Sequence, residues 1–437
     1  MKAIKFTYLT FGAALLFASC TNDDAEPGFP KDDSRIYFRT SLPESASRAL
    51  TVSNDNLTEF SVTVFNPADG ADGELDPFID NISVIRSEES GVFSSEECQW
   101  PAAGKEKNDL TFFAYYPAPE NTDNKTTIDG VVSNFDFKIP DFSVSEDISQ
   151  QVDFIAAYKS VSMKSEMYTD IRLDFEHKLS RIDVNAKGEN KNCQIEIAGV
   201  LIGGTYTKAS FDFKPQAGAG DWIPGEEKRN VRYVYAAGEK IVTINNTTSG
   251  VSIMGGTQDS NYAMLIPSDY AAWDHENDNT NSGQGLYLGV LIRVTDIKGT
   301  QQYPYTNTNQ GPDALEIPKV YLAVDDSGTV MSGQLYKGAN GTYFTDSELT
   351  APYTVPQGST VREFGWSAIP ITGDWTPGYY YTYTLDYTYG VGLHAPDVKP
   401  SEGPNAGDPI ISDKVGLTVT VKGWQNGTSS SIQVPGS

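Results

Sequence analysis

Positive charge is scarce in this chain: 32 lysines and arginines stand against 58 aspartates and glutamates, for a formal charge of −26. Nucleic-acid binding is built on Lys and Arg clusters, and an acidic surface of this size repels phosphate backbones and anionic headgroups, so no nucleic-acid partner is expected. Histidine is rarer still. Only His177, His275 and His394 occur, and none has a second histidine, a cysteine or a G-x-S-x-G turn nearby in sequence. No catalytic triad can be proposed from them. His177 lies two residues from Phe175 and from Leu179 on one strand face and reads as a hydrogen-bonded structural histidine. A Walker loop, a G-x-G-x-x-G turn and a C-x-x-C pair are also missing. Asp72, Glu74 and Asp76 have the one-three-five spacing of a calcium loop, but Pro77 stands where glycine is needed and Ser83 where glutamate is needed. That segment reads as a solvated acidic loop. With so many carboxylates, a glycosidase-like pair would arise by chance and carries no signal. The expectation is a protein that is not an enzyme, with no cofactor and no metal.

Long apolar runs are nearly absent. The exception, Phe6 to Phe17, follows Lys2 and Lys5 and ends at Ala18-Ser19-Cys20. Twelve residues fall short of the roughly twenty needed to cross a bilayer as a helix, so residues 1–19 read as a cleaved signal peptide. Small residues before Cys20 form a lipobox, which makes Cys20 the first mature residue and an acceptor of acyl chains such as palmitate. Phe17 departs from the usual leucine at the first lipobox position. Removing residues 1–19 takes away two lysines and no acid, moving the charge from −26 to −28. Cysteine is scarce as well: with Cys20 lipidated, only Cys98 and Cys193 remain, 95 residues apart, where one bridge is possible and none is required, and two unpaired buried thiols are the favoured reading.

What the chain has in abundance is period-two alternation. Phe60 to Val64, Leu173 to Phe175 with His177, and Ile182 to Val184 all alternate, and Lys240 to Ile244 does so more loosely. Leu286 to Ile292 and Val320 to Val324 are apolar on both faces, as doubly covered strands are. The clearest strand, Tyr381 to Tyr389, sets Tyr381, Tyr383, Leu385, Tyr387 and Tyr389 on one face and Thr382, Thr384, Asp386 and Thr388 on the other. Clusters of turn residues at Pro67–Gly73, Asn245–Gly250 and Asn277–Gly283 separate such runs. The fold class is all-β, in antiparallel sandwiches.

Several segments in order resemble the Bacteroidetes fimbrillin family, the subunits of type V pili. They are Ile36-Tyr37-Phe38 with Ser47-Arg48-Ala49, Phe112 to Pro117, Asp153 to Ala157, Leu173 to Ile182, Ala263 to Pro267, and the closing Trp375, Gly378, Tyr381 to Leu385 and Leu417 to Trp424. Thr21-Asn22-Asp23-Asp24 resembles the acidic signal that sends lipoproteins of these bacteria to the outer-membrane surface. The resemblance implies two tandem transthyretin-like antiparallel β-sandwich domains, over residues 49–189 and 190–437, after a signal peptide (1–19) and a propeptide carrying the first strand (20–48). It implies a surface fimbrial subunit, serving adhesion, lipid-anchored in the outer membrane through Cys20. It further implies processing by an Arg-specific protease between Arg48 and Ala49, and assembly with other fimbrial subunits by strand exchange. Val415, Leu417, Val419 and Val421 alternate and form either the donor strand or the last strand of their own domain. A second reading is a surface glycan-binding lipoprotein using the Tyr381–Tyr389 face with Trp273 and Trp375. The two separate on whether those aromatics form an open platform.

Overall fold

The structure, a computed structural model, describes residues 34–42, 52–66, 77–101, 109–117, 137–163, 169–214, 220–255, 262–304, 318–396, 405–411, 415–423 and 429–433. Among them the only helical piece is one 3-10 turn, Ile148–Gln150; the rest is strand and connection. The first half contributes β1 (Phe38–Ser41), β2 (Glu59–Phe65), β3 (Ile79–Arg86), β4 (Phe93–Ser94), β5 (Asp109–Tyr116), β6 (Phe137–Ser143), β7 (Ile155–Ser162), β8 (Ile171–Asp174) and β9 (Glu176–His177). All but β6 form one sheet in the order β8-β1-β4-β3-β2-β5-β7-β9. β8 and β9 are one stretch of chain interrupted only at Phe175, so the sheet closes on itself. Closure removes the free edges that would otherwise invite pairing with another chain.

The residues explain the enclosed core. On β5, Leu110, Phe112 and Ala114 point into the closed sheet, beside Phe60, Val62 and Phe175. The alternate residues Phe113 and Tyr115 point outward into a second core. A strand used on both faces must be apolar on both, which is why residues 110–116 are almost continuously hydrophobic. The outer face meets β6, Lys208–Phe213 and Asp221–Pro224, which form a three-stranded sheet. Its rings pack edge-on or tilted: Phe137 lies 5.0 Å from Phe213, and Phe154 lies 5.1 Å from Phe211.

Two further sheets face each other across the rest of that second core. One has the order Thr247–Ser252, Ser180–Gly188, Tyr379–Asp386, Gly416–Gly423, Ser429–Gln433. The other runs Lys228–Val234, Cys193–Tyr206, Tyr287–Asp296, Ser359–Pro370, Lys319–Asp325. Two pairs are parallel, β1 with β8 and Ser180–Gly188 with Tyr379–Asp386; the other strand pairs are antiparallel. Ser180–Gly188, which the sequence expectation gave to a first domain ending at residue 189, pairs only with later strands. The cluster Asn245–Gly250, read as a turn, is a turn only at its start. Asn246 takes a left-handed φ of 52°, and Thr247 opens a strand paired to Asn185–Gly188.

Candidate assembly site

The N-terminal segment is built into the closed sheet rather than lying on it. Ile36 and Phe38 are completely buried and Leu42 nearly so, while Tyr37 is half-buried and Arg39 is exposed. β1 runs parallel to β8 with Phe38 opposite Ile171 and Ser41 opposite Asp174, and meets β4 where Phe38 opposes Phe93. The amides of Ile171 and Phe175 donate to the carbonyls of Tyr37 and Ser41, each at 2.8 Å, and the Ile36 amide donates to the Cys98 carbonyl at 2.9 Å. Phe38 makes edge contacts with Phe60 and Phe112 at 5.8 and 5.9 Å. Burial of Ile36, Phe38 and Leu42 contributes about 5–9 kcal/mol gross, taking about 1.5–3 for each side chain. Without β1, β4 and β8 would be left as two open edges over an apolar slot.

Arg48 and Ala49 lie outside the described residues, as does Cys20. What is described is how the segment containing Arg48 is tied at both ends. On one side the Leu42 amide donates to Asn54 Oδ1 at 3.0 Å, and Asn54 Nδ2 donates back to the Leu42 carbonyl at 3.2 Å. On the other, the Val52 amide donates to Asp153 Oδ2 at 3.1 Å, the oxygen that also takes a 2.7 Å contact from His177 Nδ1. Asp153 and His177 are buried, and no water is needed to explain either contact. His177 is thus the hydrogen-bonded structural histidine its sequence position suggested. The other arginines of this region are engaged in ordered backbone: Arg35 pairs with Glu96 at 3.3 Å and Arg39 with Asp170 at 2.9 Å.

At the other end of the chain, Val415, Leu417, Val419 and Val421 sit at the edge of the second core, with Val419 buried and the other three half-buried. Gly416–Gly423 is flanked by Tyr379–Asp386, with Leu417 opposite Leu385 and Val419 opposite Tyr383, and by Ser429–Gln433. These residues therefore occupy their own domain's sheet. The last two strands form its terminal hairpin, joined to the rest through Tyr379–Asp386 alone.

The tyrosine stripe is not a platform. Tyr381, Tyr383, Leu385 and Tyr387 are at most 6% exposed, and Trp273 and Trp375 are 2% and 3% exposed. The alternation was read correctly and its apolar face is packed between sheets: Trp375 Nε1 donates to Tyr383 Oη at 2.9 Å, and Tyr381 Oη donates to the Asp374 carbonyl at 3.0 Å. Only Tyr379 and Tyr389, at the two ends of the run, stand clear. Cys98 and Cys193 are both free thiols; Cys98 is buried and Cys193 half-buried. Burial pushes the Cys98 thiol up to about 12 and raises Cys193 as well. Among the described residues no group of three or more His, Cys, Asp or Glu is placed to hold a metal, and the acidic run Asp72 to Asp76 lies outside them. One feature had no counterpart in the sequence reading. Lys228, Arg229 and Arg232 gather on one edge strand, in a chain where acidic residues outnumber basic ones 58 to 32.

A closed sheet completed by the chain's own first strand, followed by a facing pair of sheets, defines an all-β protein. The chain belongs to the fimbrillin-like family, whose profile matches residues 47–322. It is accordingly a fimbrial protein of the cell surface. Among curated proteins no relative matches it. Its fold is similar to that of the tip fimbrial protein Mfa3 from Porphyromonas gingivalis, at 11% identity over 89% of this chain and 99% of that one, with a TM-score of 0.33. A fimbrial assembly protein from Parabacteroides distasonis is similar at 8% identity over 91% and 99%, with a TM-score of 0.36. A candidate cell adhesion protein from Bacteroides uniformis is similar at 12% identity over 90% and 99%, with a TM-score of 0.38.

Proposed function

We propose that the chain is exported as a lipoprotein on Cys20, held in the outer membrane, cut between Arg48 and Ala49, and assembled into fimbriae by strand exchange at the slot of β1. It acts as a structural subunit and catalyses nothing. The observation that carries this reading is the closure of the first sheet through β1. β1 sits between β4 and β8 in a segment, residues 36–42, with three buried side chains, and the segment that contains Arg48 links it to the strands that follow.

Cleavage there would turn β1 into a separate peptide held by hydrogen bonds and burial alone. Its departure would expose two strand edges and an apolar groove, a state that recruits a strand from another chain. Proteolysis favours segments that can be drawn out of the fold, and Arg35 and Arg39 are ion-paired in ordered backbone, which leaves Arg48 as the target. The donor is the Val415–Val421 strand of another copy or of a related subunit. Its four apolar residues match the alternation of Ile36 and Phe38, and its hairpin pairs with the rest of its sheet through Tyr379–Asp386 alone. The glycan-platform alternative has no support from the tyrosine stripe, whose inward face is packed.

The test is treatment of the purified precursor with an Arg-specific protease, beside the variant R48Q. The expected outcome is one cut at Arg48 followed by oligomers for the parent chain, and an intact monomer for R48Q. Cleavage elsewhere, or a nicked chain that stays monomeric with partner subunits present, would contradict the reading. Anchoring is tested separately: C20A should lose labelling by a palmitate analogue and leave the membrane fraction.

A further inference from the structure

We infer that the groove along the Lys228–Val234 edge strand is a binding site for carboxylated saccharides, glycans bearing uronic or sialic acid units. The cavity measures about 560 Å³, within the range of small-ligand sites. Its floor is formed by Leu201, Tyr287 and Trp366 on the Cys193–Tyr206, Tyr287–Asp296 and Ser359–Pro370 strands, on the face turned away from the second core. Beside Leu201 the residues next in register are small, Gly289 opposite Leu201 and Ala368 opposite Gly289, while Arg232 stands opposite Leu201 on the other side.

The polar rim decides the ligand class, because the acceptor oxygens of two of its side-chain amides are used internally while their N–H groups are not. Asn230 Oδ1 takes the Gly204 amide at 3.2 Å, and Gln284 Oε1 takes the Lys228 amide at 3.0 Å. Those bonds fix both side-chain amides, so Asn230 Nδ2 and Gln284 Nε2 are left as donors. Lys228 Nζ makes a 3.3 Å bond to the Gln284 carbonyl and keeps further N–H groups to give. Arg229 pairs with Glu227 at 2.6 Å, but Arg232 is exposed and has no carboxylate partner among the described residues. Glu146 is the one carboxylate on the lining, against three cations, in a chain whose formal charge is −26.

A wall of guanidinium, ammonium and amide donors requires an acceptor-rich, anionic ligand. Arg232 is suited to a two-pronged bond with a carboxylate, while hydroxyl oxygens accept from Asn230 and Gln284. The compact cavity over an apolar floor fits a sugar ring with its carboxylate better than an extended acidic peptide, which would need a longer track. The inference deepens the adhesion reading and is independent of strand exchange, since the uncleaved monomer already carries the groove.

The test is calorimetric titration of the uncleaved full-length monomer with oligogalacturonate and sialyllactose, beside neutral galactose oligomers and polyglutamate. Binding of at least one carboxylated saccharide is expected, with none of the neutral oligomers, weakening as salt rises. R232A should lose about tenfold or more in affinity, and K191A, which removes an exposed lysine outside the groove, should lose nothing. Circular dichroism of R232A checks that the fold persists. Failure of both acidic sugars to bind, binding unaffected by R232A, or preference for polyglutamate would overturn the assignment, the last pointing to an acidic polypeptide instead. A chain that binds the sugar yet fails to polymerise after cleavage would contradict strand exchange and leave the groove standing.

Discussion

Phe38 is the residue on which the first core turns. Its ring touches Phe60 and Phe112 and its backbone sits in the parallel pairing with β8. F38A should lower stability by about 3–5 kcal/mol in urea unfolding, as large-to-small changes in a packed core do. Asn54 has a different part: it stitches the end of β1 to the chain beyond Arg48. N54A should cost about 1–2 kcal/mol and should speed loss of the N-terminal peptide once Arg48 is cut, measured by mass spectrometry of the released fragment. The thiols give a third check. In native protein with Cys20 acylated, a maleimide should modify Cys193 and spare Cys98, whose burial holds it as the unreactive thiol; equal labelling of both before unfolding would contradict the packing described.

Among elements, the loop from Asp274 to Gly285 shows how turn chemistry fixes a segment beside the groove. Asp278 accepts the Gly283 amide at 2.8 Å and the Ser282 and Thr280 hydroxyls, each at 3.1 Å, and its own carbonyl takes the Trp273 indole N–H at 2.6 Å. Donation from the Gly283 amide, then from Ser282, holds its carboxyl down at about 2. A depressed carboxylate contributes stability that is complete above its unfolded value, about 3.9, and is lost as pH falls through about 2. The protection of the Gly283 amide, measured relative to its intrinsic exchange rate at each pH, should therefore fall between about pH 4 and pH 2, and D278N should show lowered protection at neutral pH; unchanged protection would refute the turn as drawn.

The element scale also shows what was legible. Strand alternation gave Phe60–Val64, Ile182–Val184 and Tyr381–Leu385 with the correct inward faces, because period two survives wherever one face is covered. It failed at Asn245–Gly250, where a strand exposed on most of its residues needs no apolar pattern and so looks like turn composition. The buried first strand was readable from Ile36 and Phe38. The basic groove was not, since Lys228, Arg229 and Arg232 meet Trp366 and Asn281 only through pairing of strands far apart in the chain, and net charge averages such a patch away.

For the whole molecule, the shared second core means the two halves do not behave as separate beads. Phe113, Tyr115 and Phe154 of the first half pack with Phe137, Phe211 and Phe213 on the three-stranded sheet, which braces the outer face of the closed sheet. Loss of β1 should open the first core locally and leave the second intact. Cys98 reports on that opening, because it is buried in the first core and its carbonyl accepts the Ile36 amide. The most direct measurement is the rate of Cys98 alkylation in three states: the intact precursor, the chain cut at Arg48 with its N-terminal peptide removed, and the assembled filament. A removable plug predicts protection, then rapid labelling, then protection again as a donor strand fills the slot. Cys98 that stays protected throughout while filaments form would contradict it.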